Sequence, residues 1–266
     1  MTNEKNYQQI LQDRKFDRSK VPKQEQITFT IQGKIIAQLG SYAVFTGASK
    51  SGKSTFVAAT IASAFNGFQD IFEIKLNFPK DRKRIGYFDT ESSSYDFYMQ
   101  MKKIERFIDR NGLPDEIDAY NTREDNPKDI RSMIVQYLKS TPECSILIVD
   151  GFLDLLMDYN SVEESRFLTN WFKKITKEYN ITLIGVLHTG KGNNETLGHL
   201  GSNTDRWANS TLIVEKDKNT KQHILKPKFL RSDADFDPIA ITNYDGRWMQ
   251  QHYIEQEIIL PKKLKK

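Results

Sequence analysis

The sequence predicts an α/β protein in which a mainly parallel central sheet is flanked by helices and followed by an antiparallel C-terminal extension. Three observations carry this expectation. Short continuous apolar runs, such as 42–45 and 146–149, have the pattern of strands buried on both faces. Amphipathic stretches of helical length separate those runs, as parallel strands require crossover connections. The final third changes character, to closely spaced strands with Asp245 and Gly246 as the clearest turn.

Residues 1–26 are polar, with Tyr7, Ile10, Leu11 and Phe16 as apolar anchors, and read as a short helix or arm ending in a linker around Val21 and Pro22. Ile27, Phe29 and Ile31 alternate as in a strand, and Gly33 turns the chain into a second apolar segment, 35–39. Buried strands are then predicted at 42–46, 84–89, 145–150, 181–188 and 210–215. Helices are predicted at 54–65, 95–111, 127–140 and 162–179, with Phe167, Trp171 and Ile175 marking one apolar face of the last. Segments 222–229, 239–244 and 248–253 read as hairpin strands. One domain over 27–254 is expected, with the arm before it and a basic tail at 255–266 after it.

Composition sets the outer bounds. The chain has 266 residues, 38% of them hydrophobic, enough for one sizeable core. The 39 Lys and Arg against 35 Asp and Glu leave +4, a balance compatible with nucleic acid but equally ordinary for an enzyme. A single cysteine, Cys144, excludes an internal disulfide and fits a reducing compartment; beside an apolar run it reads as a buried, inert thiol. The N-terminus is no signal peptide, and no run approaches the roughly 18 apolar residues of a membrane span. A cytoplasmic protein without a membrane partner is expected.

The segment Gly47, Ala48, Ser49, Lys50, Ser51, Gly52, Lys53, Ser54, Thr55 satisfies G-x-x-x-x-G-K-[ST]. Phosphate oxygens need many donors in a small space. A glycine-rich turn lets successive backbone N–H groups converge, and the helix that follows offers its positive end. Lys53 is placed to reach the β- and γ-phosphates and Ser54 to ligate Mg²⁺. The apolar strand before the loop and the helix-forming run after it set it apart from a surface Gly/Ser/Lys loop. ATP and Mg²⁺ are the expected ligands.

Two further strands end in acids. Four apolar residues precede Asp150, the pattern in which a carboxylate holds a magnesium ion's water shell. Gly151 follows, so no acid pair is present there. Glu91, past the end of strand 84–89, is the candidate to orient and polarise an attacking water, the alternative being a cap on the next helix. Strand 181–188 ends in His188, and the stretch 191–203 beyond it, rich in Gly and Asn, reads as a loop that carries Lys191 and His199.

The placement of Glu91 resembles RecA-type ATPases. The spacing of Lys53, Glu91, Asp150 and His188, without an acid pair, resembles the small plasmid-encoded hexameric replicative helicases of the RecA/DnaB superfamily, over about residues 27–244. That resemblance implies a RecA-like P-loop fold and a homo-oligomer, possibly a hexameric ring, that unwinds or translocates on single-stranded DNA alongside replication or mobilisation proteins. It implies that His188 senses the γ-phosphate and that the 191–203 loop, through Lys191 and His199, touches DNA. It also implies a basic residue that completes the neighbour's site. Arg231 is the first candidate, then Lys228, then Lys216; a solvated basic edge is the alternative. Lys262, Lys263, Lys265 and Lys266 read as a solvated end, or as a phosphate-contacting tail. Two other readings stand beside the motor: an ATP-dependent switch or loader that does not translocate, and, last, a small-molecule kinase.

Overall fold

The computed structural model describes residues 6–67, 71–189 and 198–253. In chain order α1 (Tyr7–Arg14) precedes β1 (Ile27–Ile31), β2 (Lys34–Gln38), β3 (Tyr42–Gly47), α2 (Lys53–Ser63), β4 (Ile74–Leu76) and β5 (Arg84–Asp89). Next come α3 (Ser94–Ile108), β6 (Ile117–Asn121), α4 (Pro127–Ser140), β7 (Cys144–Asp150), a 3-10 turn (Phe152–Leu155), α5 (Val162–Glu178) and β8 (Thr182–His188). The chain continues through α6 (Gly198–Trp207), β9 (Ser210–Lys216), β10 (His223–Leu230), β11 (Ile239–Tyr244) and β12 (Arg247–Gln251).

Nine strands form one sheet in the order β12-β11-β10-β9-β3-β8-β7-β5-β6, parallel from β9 to β6 and antiparallel from β9 outward to β12. Every residue of β3 and β7 is buried, as expected of central strands covered on both faces. One core packs α2, α3 and the small sheet β2-β1-β4 on one face, through Phe29, Phe56, Ile61 and Ile104. A second packs α4 and α5 on the other, through Ile134, Leu168 and Phe172.

Local chemistry sets the helix starts. Ser93, Asn126 and Ser161 cap α3, α4 and α5 by accepting backbone N–H bonds, and Pro127 occupies the first turn of α4. Cys144 is buried, and burial pushes its thiol up to about 11. No residue of α1 is buried, so the arm makes no core of its own.

Several expectations need correction. The buried side of α5 runs through Leu168, Phe172 and Ile175; Phe167 is 52% exposed and lies against Arg131 instead. The stripe 168, 172, 175 (i, i+4, i+7) fits the helix as well as 167, 171, 175 (i, i+4, i+8), and the sheet chose between them. Strands β4 and β6 were not expected, being short and, in β6, mostly polar. Of the stretch read as a loop, residues 198–203 are helical, forming the start of α6. Residues 191–197 and the tail 255–266 lie outside the described residues. Among the described residues no helix is long and apolar enough to cross a membrane.

Candidate active site

Register alone brings four strand tips to one end of the sheet. Gly47 pairs with His188 across β3 and β8, and Asp89 pairs with Asp150 across β5 and β7. Open parallel sheets bind ligands in this crevice, beyond the carboxyl ends of the strands.

The loop from Gly47 to Thr55 runs from β3 into α2. Unlike α3, α4 and α5, α2 begins at Gly52 with no side-chain cap, leaving its first N–H groups to an anion. Ser51 is buried, and its hydroxyl has no hydrogen-bond partner among the described residues. An uncapped helix start beside an orphaned buried hydroxyl fits a phosphate group. Lys53 is almost wholly buried, and its Nζ donates to the carbonyls of Gly47 and Ala48, each at 2.9 Å. Burial pulls its ammonium down to about 8, against the opposing pull of Glu91 and Asp150.

The carboxylates sit across from this lysine. Asp150 is buried, and burial first, then Asp89 and Glu91, pushes its carboxyl up to about 7 despite Tyr87 and Lys53. The Tyr87 hydroxyl lies 3.1 Å from Asp150 Oδ2 and 3.5 Å from Asp89 Oδ2, joining the two acids. Asp89 Oδ1 accepts the backbone N–H groups of Glu91 and Ser92. Among the described residues no three His, Cys, Asp or Glu side chains gather as a self-sufficient metal cage. One or two carboxylates plus the Ser54 hydroxyl suit Mg²⁺, which keeps waters and completes its shell with phosphate oxygens. Gly151, where some ATPases carry a second acid, has φ +121°, and a side chain there would collide with Thr90 and Asp154.

Glu91 does not cap α3, since Ser93 does. Its carboxylate meets His188 Nε2 at 2.9 and 3.0 Å, while His188 Nδ1 lies 3.2 Å from Lys53 Nζ. The Glu91 side chain is 40% exposed, so water has access to it. A chain of polar contacts thus runs from the candidate base, through the β8 tip, to the phosphate-loop lysine.

No protein-family model matches the chain, and no curated protein matches it in sequence. A solved structure does match: a KaiC-like protein from the hyperthermophilic archaeon Pyrococcus horikoshii aligns with a TM-score of 0.57. That alignment covers 81% of this chain and 91% of that one at 13% identity. The fold is RecA-like.

In this RecA-like fold the other candidates lie elsewhere. Lys228 pairs with Asp205 at 2.7 Å, and Arg231 donates to the carbonyls of Arg206 and Ala208. Leu230 pairs with Ser210, and Ser210 with Ala43 at the start of β3. Arg231 therefore lies about a strand length, roughly 15 Å, from the phosphate loop of its own chain. Lys216, at the far end of β9, pairs in register with His223 near the loop. His199 is exposed on α6, away from any described partner, and Lys191 lies outside the described residues.

The sequence reading missed Asp89, Tyr87, Gln100, Lys103, His223 and Trp248. Asp89 carried the same signal as Asp150, an acid ending an apolar strand. Gln100 and Lys103, one turn apart on α3, gave none: Gln100 Nε2 donates to the Ser54 carbonyl at 2.6 Å, and Lys103 Nζ lies 3.1 Å from Gln100 Oε1. With Trp248 they line a cleft of about 390 Å³ that opens onto Ser54, Asp89 and Asp150. Burial pulls the Lys103 ammonium below its ordinary range, with Asp150 opposing.

Proposed function

We propose that this chain binds ATP and Mg²⁺ at the Gly47–Thr55 loop, hydrolyses the nucleotide, and works on single-stranded DNA as a ring-forming helicase or translocase. The observation that carries the reading is the Glu91–His188–Lys53 contact chain, which ties a water-accessible carboxylate to the phosphate lysine across three strands. Lys53 exchanges the Gly47 and Ala48 carbonyls for phosphate oxygens, a charge-assisted pairing stronger than the one it leaves. Ser54 and Asp150 hold the metal, with Asp89 beside them, and the metal supplies charge neutralisation at the phosphates. Glu91 orients a water and accepts its proton, and His188 keeps that carboxylate aimed. The cleft lined by Gln100, Lys103 and Trp248 has room for the nucleoside.

The DNA and ring assignments rest on the resemblance to the plasmid-encoded helicases and on the position of Arg231, which is too far to serve its own loop and would exchange the Arg206 and Ala208 carbonyls for a neighbour's phosphates. A switch or loader is the second reading. It is favoured by the same Lys53 contacts, which nucleotide binding must rearrange whether or not the chain moves along DNA. ATP turnover with and without single-stranded DNA, with particle mass measured in the same buffers, separates them. A motor speeds up on DNA as an oligomer. ATP binding without DNA stimulation leaves the switch, and no nucleotide binding refutes both.

A further inference from the structure

We propose that His223 is a positioning residue for the phosphate loop, so that the antiparallel extension holds the loop's backbone in its ligand-ready shape. This rests on the reading of that loop as a nucleotide site. His223 opens β10, and its Nδ1 lies 2.5 Å from the Ser51 carbonyl oxygen. A carbonyl can only accept, so Nδ1 carries the proton and donates it. Burial pulls this imidazole below its ordinary range, with the Ser51 hydrogen bond opposing, and Nδ1 can donate from the neutral ring and from the imidazolium alike.

The fit is steric as well as polar. Gly52 has φ +106°, and a side chain at that position would run into the His223 ring, so the ring fills the space the glycine leaves. Trp248 packs edge-on against the His223 ring, with centroids 5.2 Å apart, and strand register fixes His223 between Lys216 and Ile241. The imidazole is thus clamped between the loop and the C-terminal hairpin.

The consequence for binding follows from peptide geometry. A trans peptide points its N–H opposite its C=O. Pinning the Ser51 carbonyl to His223 therefore turns the Gly52 N–H away from the extension. Phosphate binding by such a loop depends on the direction of its backbone N–H groups. No side chain of the loop's own holds the peptide between 51 and 52, since the Ser51 hydroxyl makes no bond among the described residues.

The test compares His223→Phe, which keeps a ring against Trp248 but has no donor, with His223→Asn, whose amide nitrogen reaches the Nδ1 position. The probe is the fluorescent nucleotide mant-ADP with Mg²⁺, and thermal unfolding is followed in parallel. His223→Phe should bind about tenfold more weakly, the scale of one lost buried hydrogen bond, and His223→Asn within about threefold of wild type. Should the Phe variant fail to fold, His223→Gln, whose amide reaches the other ring nitrogen's position, should bind more weakly than His223→Asn. Wild-type-like binding by His223→Phe, or equal binding by the Asn and Gln variants, overturns the positioning role alone. A wild-type protein that does not bind the probe overturns the nucleotide-site reading itself.

Discussion

His188 bridges Glu91 and Lys53, with Nε2 2.9 Å from Glu91 Oε2 and Nδ1 3.2 Å from Lys53 Nζ. An ammonium has only protons to offer, so Nδ1 accepts from Lys53 and Nε2–H donates to the carboxylate. The tautomer is therefore set by the two partners rather than by solvent. Any ligand that draws Lys53 away from His188 changes what holds Glu91.

That bridge separates binding from chemistry. Lys53→Ala should abolish turnover and weaken ATP binding, because a charge-assisted phosphate contact is lost. Glu91→Gln keeps an acceptor for His188 but cannot take a proton, so ATP should still bind while turnover falls by about 10²-fold or more. Nucleotide titration and phosphate release measure the two effects separately. Near wild-type turnover by Glu91→Gln would refute the assignment of the base.

Arg231 and Lys228 are held against α6 by Arg206 and Asp205, with Arg231 at the far end of the sheet from its own loop. If either completes a neighbour's site, its alanine variant should bind ATP yet hydrolyse it poorly. Mixing that variant with Lys53→Ala should restore part of the activity, since some junctions then hold one intact site. Proven mixed oligomers without recovery would count against a shared site.

Coupling to DNA should depend on the β8 tip. An ATP analogue should tighten single-stranded DNA binding, and His188→Ala should leave nucleotide-free DNA binding unchanged while removing the gain. By linkage, DNA then tightens ATP binding by the same factor in wild type and not in the variant. Lys191→Ala should weaken DNA binding across all sequences and flatten its salt dependence. Equal DNA affinity with and without nucleotide in the wild type would leave the switch reading in its place.

Asp150 links the site to stability. Burial, then Asp89 and Glu91, holds its carboxyl at about 7. Between about pH 4, where an unfolded aspartate titrates, and about pH 7, the folded chain keeps a proton that the unfolded chain has released. The group's contribution to stability is thus fully present below that window and is lost as pH rises through it. In metal-free buffer, Asp150→Asn should unfold a few degrees higher than wild type at pH 8, with a smaller difference at pH 5.5. A difference that does not change with pH would show that this carboxyl carries no such penalty.

The parts of the site that sequence alone determined are those whose chemistry runs along the chain. The spacing of Gly47, Gly52, Lys53 and Ser54 works because neighbouring peptides converge within one turn, and Asp150 is announced by the four apolar residues before it. The alternation of buried runs and amphipathic helices likewise determined the parallel sheet, since a strand covered on both faces can carry few polar side chains. Tertiary structure decided the rest, because it concerns residues brought together by strand order. Glu91 and His188 are 97 positions apart, and Ser51 and His223 are 172 apart. Whether Glu91 caps a helix or faces His188, and whether α5 buries Phe167 or Leu168, depends on which strands are neighbours and how the helix is rotated on them. No local pattern encodes that choice, because both alternatives satisfy the same periodicity and only packing against the sheet makes their energies differ.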